Sequence, residues 1–155
     1  MLRIGGYLPT WVILAGAVFL ATSTHADRPL RDRARIWLVP IAAALSGLTA
    51  EILKLIIGRQ RPGDLGQYTF RPFLHGFIDG SNLGLPSSHA ATAFGAALLI
   101  CRVWPRAGWL VVPLAIGCSL TRVFMGDHFV SDVVAAAGLG YAWSRVLVPP
   151  ARRFP

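Results

Sequence analysis

Five apolar stretches, each roughly 17 to 22 residues long, limit what this chain can fold into. They run from about Tyr7 to Thr24, Ile36 to Ile57, Ser88 to Trp104, Ala107 to Met125 and His128 to Val148. At about 1.5 Å of rise per residue, a helix of that length crosses a hydrocarbon core of about 30 Å. The stretches show no apolar–polar alternation, and lipid offers no partner to a free backbone group, so helices are the expected spanning form. The composition agrees: 54% of residues are hydrophobic and 14% charged, where a soluble domain carries about a quarter charged. The predicted fold is all-α, a polytopic transmembrane bundle of about five spanning helices. The 155 residues suit one membrane-embedded domain, with a core over about 36–148.

Small residues recur inside the stretches, at Gly16, Ala42 to Ala44, Gly95 to Ala97 and Ala135 to Gly140, where they let helix backbones approach closely. Cys101 and Cys118 lie within apolar runs without metal or redox spacing and read as small hydrophobes. Tryptophans such as Trp11, Trp37, Trp104 and Trp109 fall near segment ends, as interfacial anchors do.

The net charge of +8 arises almost wholly from arginine. These arginines gather between apolar runs, as in loops facing anionic lipid, and no separate basic domain exists to hold nucleic acid. In a five-helix topology, Arg28, Arg31, Arg33, Arg35, Arg102, Arg106, Arg145, Arg152 and Arg153 share one side, which the positive-inside rule makes cytoplasmic. The opposite side holds Arg3, Lys54, Arg59, Arg61, Arg71 and Arg122. Residues 1–26 also resemble a secretory signal ending in Thr24-His25-Ala26. Cleavage would leave the arginine-rich loop outside, so a retained helix is favoured.

The long connection from about Gly58 to Pro86 is rich in glycine, proline, Asp and Asn. It reads as a structured loop that caps a site or touches a headgroup, since long loops inside compact domains are usually functional.

Three groups of polar residues sit at segment ends. Lys54 and Arg61 are seven apart, close to two helical turns, and share a face if the helix reaches Arg61. Pro62 disfavours helix at Arg61 and leaves it at a frayed end, free to fork around an oxyanion. A Lys54–Glu51 ion pair is the competing reading. Pro86-Ser87-Ser88-His89 reads as a helix start, whose unpaired N–H groups and dipole suit a phosphate. A plain N-cap is the alternative. Arg122 precedes a turn, after which His128 and Asp132 are four apart and share a helix face. The carboxylate there accepts the imidazole Nδ1–H and leaves Nε2 as a nucleophile. A capping histidine is the alternative, and Asp127 is a second candidate cap.

Together the groups resemble the type 2 phosphatidic acid phosphatase superfamily, which includes vanadium haloperoxidases. Its pattern is a lysine, six residues and Arg-Pro; then Pro-Ser-Gly-His; then Ser-Arg, five residues, His, three residues and Asp. Here these read Lys54…Arg61-Pro62, Pro86-Ser87-Ser88-His89 and Thr121-Arg122…His128…Asp132. Every spacing holds. Ser88 stands for glycine and Thr121 for serine, and five helices rather than the usual six suggest a missing N-terminal helix.

The resemblance implies an integral-membrane lipid phosphatase acting on a phosphomonoester or diphosphate. Lys54, Arg61, Ser87, Ser88 and Arg122 would hold phosphate oxygens. His128 would attack to form a phosphohistidine, Asp132 would orient it, and His89 would protonate the leaving group. Fixed cations can replace a metal in phosphoryl transfer, and no metal-type spacing is visible, so neither metal nor cofactor is expected. The implied partners are the bilayer and a lipid phosphate, not nucleic acid. The implied location is a bacterial inner membrane, with the site on its extracytoplasmic side. A lipid phosphotransferase is the alternative enzyme; a non-catalytic scaffold or anion-permeation protein is the alternative of another class. The soluble nature of the haloperoxidase branch argues against that activity. His25, His75, Asp64 and Asp79 receive no role.

Overall fold

The structure, a computed structural model, describes residues 6–23, 35–63 and 66–149. The arginine-rich loop from Arg28 to Arg33, the Thr24-His25-Ala26 end of the signal-like segment, Asp64, Arg152 and Arg153 lie outside them. The described residues form five α-helices: α1 (Leu8–Ser23), α2 (Leu38–Ile57), α3 (Ser88–Val103), α4 (Gly108–Phe124) and α5 (Val130–Leu147). Each falls within a residue or two of an expected stretch. Short 3₁₀ turns occupy Arg35–Trp37, His75–Phe77 and Pro105–Ala107.

The helices pack with small residues inward and large apolar ones outward. The central helix, α3, touches α2, α4 and α5, and its Ala90, Ala91, Ala93, Ala96 and Ala97 are completely buried. A Cβ on Gly140 of α5 would stand 2.7 Å from the Gly95 nitrogen, so the two backbones meet closely because neither residue has a side chain. A Cβ on Gly95 would in turn strike Ser46 of α2. Ile13, Trp109, Leu110, Phe124 and Val146 are all exposed. Interiors built from Gly, Ala, Ser and Thr with an apolar exterior suit lipid as the solvent.

Two helical stretches, Arg35–Ile57 and Pro105–Phe124, are long and apolar enough to cross a membrane; Leu8–Leu20 and Ser88–Val103 are apolar but shorter.

The long loop is anchored at both ends. Gly58 ends α2 in the left-handed region with φ 69°, and its N–H donates to the Lys54 carbonyl. Only glycine takes that cap without strain. The chain then runs extended, with single antiparallel bridges Arg59–Phe70 and Gln60–Leu83. The His75–Phe77 turn lies on α2: a Cβ on Gly76 would stand 2.5 Å from the Leu55 carbonyl oxygen. Phe73, Phe77 and Ile78 beside it are exposed. Arg71 pairs with Asp79 at 2.8 Å. Hydrogen bonds from Ser81 and the Arg71 charge hold the Asp79 carboxyl below its ordinary value.

Candidate active site

The C-terminal ends of α2 and α4 and the N-terminal ends of α3 and α5 meet at one end of the bundle. All eight residues singled out by the motifs are there.

Lys54 lies in the last turn of α2 and is 7% exposed. Its ammonium donates to Ser88 Oγ at 2.9 Å and to Glu51 Oε1 at 2.8 Å. The competing ion pair with Glu51 thus forms, and the same ammonium also links α2 to the serine motif. The expected sharing of a helix face by Lys54 and Arg61 does not occur, because α2 stops at Ile57. Arg61 comes from the extended segment, where its backbone N–H donates to Asn82 O and its Nε to Leu83 O at 3.3 Å. Pro62 explains the non-helical arginine, as expected, while Gly58 ends the helix earlier.

Ser87 is the N-cap residue of α3, with ψ 113°. Its N–H donates to the Asp132 carbonyl at 3.2 Å, tying the second motif to the third. Its hydroxyl is buried and makes no hydrogen bond among the described residues, and neither does Nε of the buried Arg122. The Arg122 Nη2 pairs with Asp127 at 3.0 Å, so Asp127 holds this arginine while α5 is capped elsewhere. A buried donor without a partner costs about 1–3 kcal/mol. Ser87 at the start of α3, Arg122 at the end of α4 and Nε of Arg59 are thus buried donors that a ligand with oxygen acceptors would satisfy. His89 opens α3 and meets the Tyr7 ring edge-on, with centroids 5.0 Å apart. It lines a groove of about 460 Å³ together with Tyr7, Leu45, Leu48, Glu51 and Ser88.

His128 Nδ1 is 3.2 Å from Asp132 Oδ2, with the residues 3% and 0% exposed. An ionised carboxylate only accepts, so Nδ1 is the donor in this contact. The pair forms by a different route from the one expected. His128 precedes α5, whose N-cap is Phe129, and Asp132 sits in the first turn accepting the Phe129 N–H at 2.9 Å. A capping turn, not a shared helix face, brings the imidazole to the carboxylate.

The motif reading missed Arg59. This buried residue, 6% exposed, donates from Nη2 to Asp132 Oδ1 and, at 2.9 Å, to Ser131 Oγ. The available signal was the pattern Arg59-Gln60-Arg61 after a helix-ending glycine, since alternate residues of an extended segment share a side. Gly84 was passed over as well. A Cβ there would stand 3.2 Å from Asp132 Oδ2. No cluster of three or more His, Cys, Asp or Glu side chains suited to a metal occurs among the described residues.

The chain is 39% identical over 108 residues to the lipid A 1-phosphatase of Rhizobium johnstonii, covering 66% of this chain and 41% of that protein. It is 35% identical over 136 residues to the decaprenylphosphoryl-5-phosphoribose phosphatase of Mycobacterium tuberculosis, covering 84% of this chain and 65% of the relative. A lipid A 4'-phosphatase of Bacteroides thetaiotaomicron matches at 43% over 65 residues, 39% of this chain and 28% of that protein. The chain thus spans less than two thirds of the length of these relatives. No solved structure matches it. The sequence model of the PAP2 superfamily matches residues 35–153, a range that holds α2 to α5 and all three motifs. The chain belongs to the PAP2 superfamily, the type 2 phosphatidic acid phosphatases that its motif spacing resembles.

Proposed function

We propose that the protein is an integral-membrane lipid phosphatase that hydrolyses a phosphomonoester or diphosphate through a phosphohistidine. The observation that carries this is the meeting of the buried His128–Asp132 pair with the unsatisfied donors of Ser87 and Arg122 at one end of the bundle. The names of the relatives, each a phosphatase of a lipid-borne phosphate, support the same substrate class.

In this reading Lys54, Arg61, Ser87, Ser88 and Arg122 hold the phosphate oxygens and neutralise their charge. Nε2 of His128 attacks phosphorus, forming the N–P bond as the bond to the lipid oxygen breaks. Asp132 stabilises the positive charge that develops on the ring. His89 gives its proton to the departing oxygen. It then takes a proton from water, whose oxygen displaces the imidazole and releases inorganic phosphate. Phosphoryl transfer chiefly needs positioning and charge neutralisation, which fixed cations supply without a metal.

The remaining proposals concern placement. The chain forms one membrane-embedded domain with five spanning helices in a bacterial inner membrane. Arginine placement supports a site on the extracytoplasmic side. Lipid tails lie along the groove between α1, α2 and α3.

The test is phosphate release by the purified protein from several lipid phosphates and diphosphates, with and without chelator. Release in detergent without a lipid acceptor is expected and separates hydrolysis from transfer to an acceptor. Loss of activity in chelator contradicts the metal-free mechanism. No release from any substrate contradicts the enzyme reading and favours a scaffold or anion-permeation protein.

A further inference from the structure

Arg59, a buried cation at this end of the bundle, is used by neither the motifs nor the proposed chemistry. We propose that Arg59 is a positioning residue for the reaction: acting through Asp132, it fixes the imidazole of His128 in the orientation from which Nε2 attacks phosphorus. The inference rests on the phosphohistidine reading above.

The argument begins with how the Asp132 carboxylate is divided. Oδ2 accepts from His128 Nδ1 and from the Phe129 N–H. Oδ1 accepts from Arg59 Nη2. A carboxylate held on one oxygen alone turns readily about its last side-chain torsion, which is broad and shallow. Held on both, it presents Oδ2 to the imidazole in one direction.

Arg59 is itself immobilised from several quarters. Nη2 also donates to Ser131 Oγ at 2.9 Å. The guanidinium carbon lies 5.3 Å from the Tyr68 ring centroid and 5.2 Å from that of Phe129, two rings that pack against each other, within reach of a cation–π attraction to each. Its carbonyl accepts the Gly84 N–H at 2.8 Å, and its backbone is bridged to Phe70. The long loop thereby delivers one fixed cation to the back of the carboxylate whose front holds the nucleophile.

The experiment compares steady-state hydrolysis of one lipid phosphate by four proteins: wild type, Arg59→Gln, Asp132→Asn and the double variant. Arg59→Gln is expected to lower kcat roughly tenfold to 100-fold, the usual effect of removing a group that orients a functional ligand, with KM unchanged. Because Arg59 acts through Asp132, its loss should add little in the Asp132→Asn background. Arg59→Lys, which keeps the charge but not the fork, should recover part of kcat. An unchanged kcat in Arg59→Gln overturns the proposal. A raised KM at constant kcat also overturns it, because Arg59 is then a phosphate ligand. Multiplying effects in the double variant overturn it too, because the two residues then act independently.

If Arg59→Gln fails to fold, the double variant, which removes both charges, carries the test with Arg59→Lys. It should match Asp132→Asn, and a further loss in it contradicts the proposal. Wild-type turnover with an inactive His128→Ala shows that the phosphohistidine reading stands even where the Arg59 proposal fails.

Discussion

At the residue scale, Ser87 shows how a site differs from a core. Its hydroxyl is fully buried and has no partner among the described residues, which is costly for the folded state and relieved when a ligand completes it. Ser87→Ala is therefore expected to keep stability or raise it by up to about 1–3 kcal/mol, since no internal bond is lost and a buried hydroxyl without a partner is removed. Inhibition by inorganic phosphate should nevertheless weaken severalfold. Thermal unfolding in detergent and phosphate inhibition constants measure the two effects, and a large stability loss with unchanged inhibition would assign Ser87 to packing. Arg59 and Asp132 illustrate the opposite arrangement, a buried pair in which removing one partner costs about 3–5 kcal/mol because the other is stranded. The eight motif residues were legible because their spacing survives in the linear sequence. Arg59 was not, because its partner Asp132 is 73 positions away and only the folded loop joins them.

At the element scale, helix positions were legible from apolar length and their ends from local chemistry. Gly58 was the exception. Pro62 is the evident helix breaker in the sequence, yet the left-handed cap four residues earlier ends α2 and frees Arg59 and Arg61 to lie in an extended segment. The His128–Asp132 spacing was likewise read as a helical face when it is a capping turn, because four residues across a helix start span a similar distance. Packing between helices was legible only as a list of small residues; which ones meet depends on crossings no spacing encodes. Gly140 of α5 meets Gly95 of α3, and backbone atoms cannot move aside as a flexible side chain can. Gly140→Val should force the two helices apart, cost about 1–3 kcal/mol and lower kcat by disturbing the α5 start that carries Asp132. A melting temperature equal to that of wild type would contradict this close packing. The loop makes its own prediction. Phe77→Ser with Ile78→Ser, both exposed in the native protein, should lower turnover of long-chain substrate in vesicles more than turnover of a short-chain phosphate in detergent. Equal losses in both assays would show that the loop does not meet the headgroup layer.

At the scale of the whole molecule, the inverted distribution of residue sizes and the arginine map describe one arrangement. A small-residue interior holds the helices close, and the helix ends place cations, imidazoles and a carboxylate on one face. In the proposed five-span topology, a reporter fused after Pro155 should be active only on the cytoplasmic side. An extracytoplasmic signal would overturn the topology and move the site to the inner face. The central claim is the covalent step at His128. Rapid acid-free quenching during turnover of a ³²P-labelled lipid phosphate should trap one labelled residue, stable to alkali and labile to acid, which mapping places at His128. His128→Ala should show neither label nor turnover while remaining folded in the membrane. Label on another residue, or hydrolysis that survives in His128→Ala, would contradict the account.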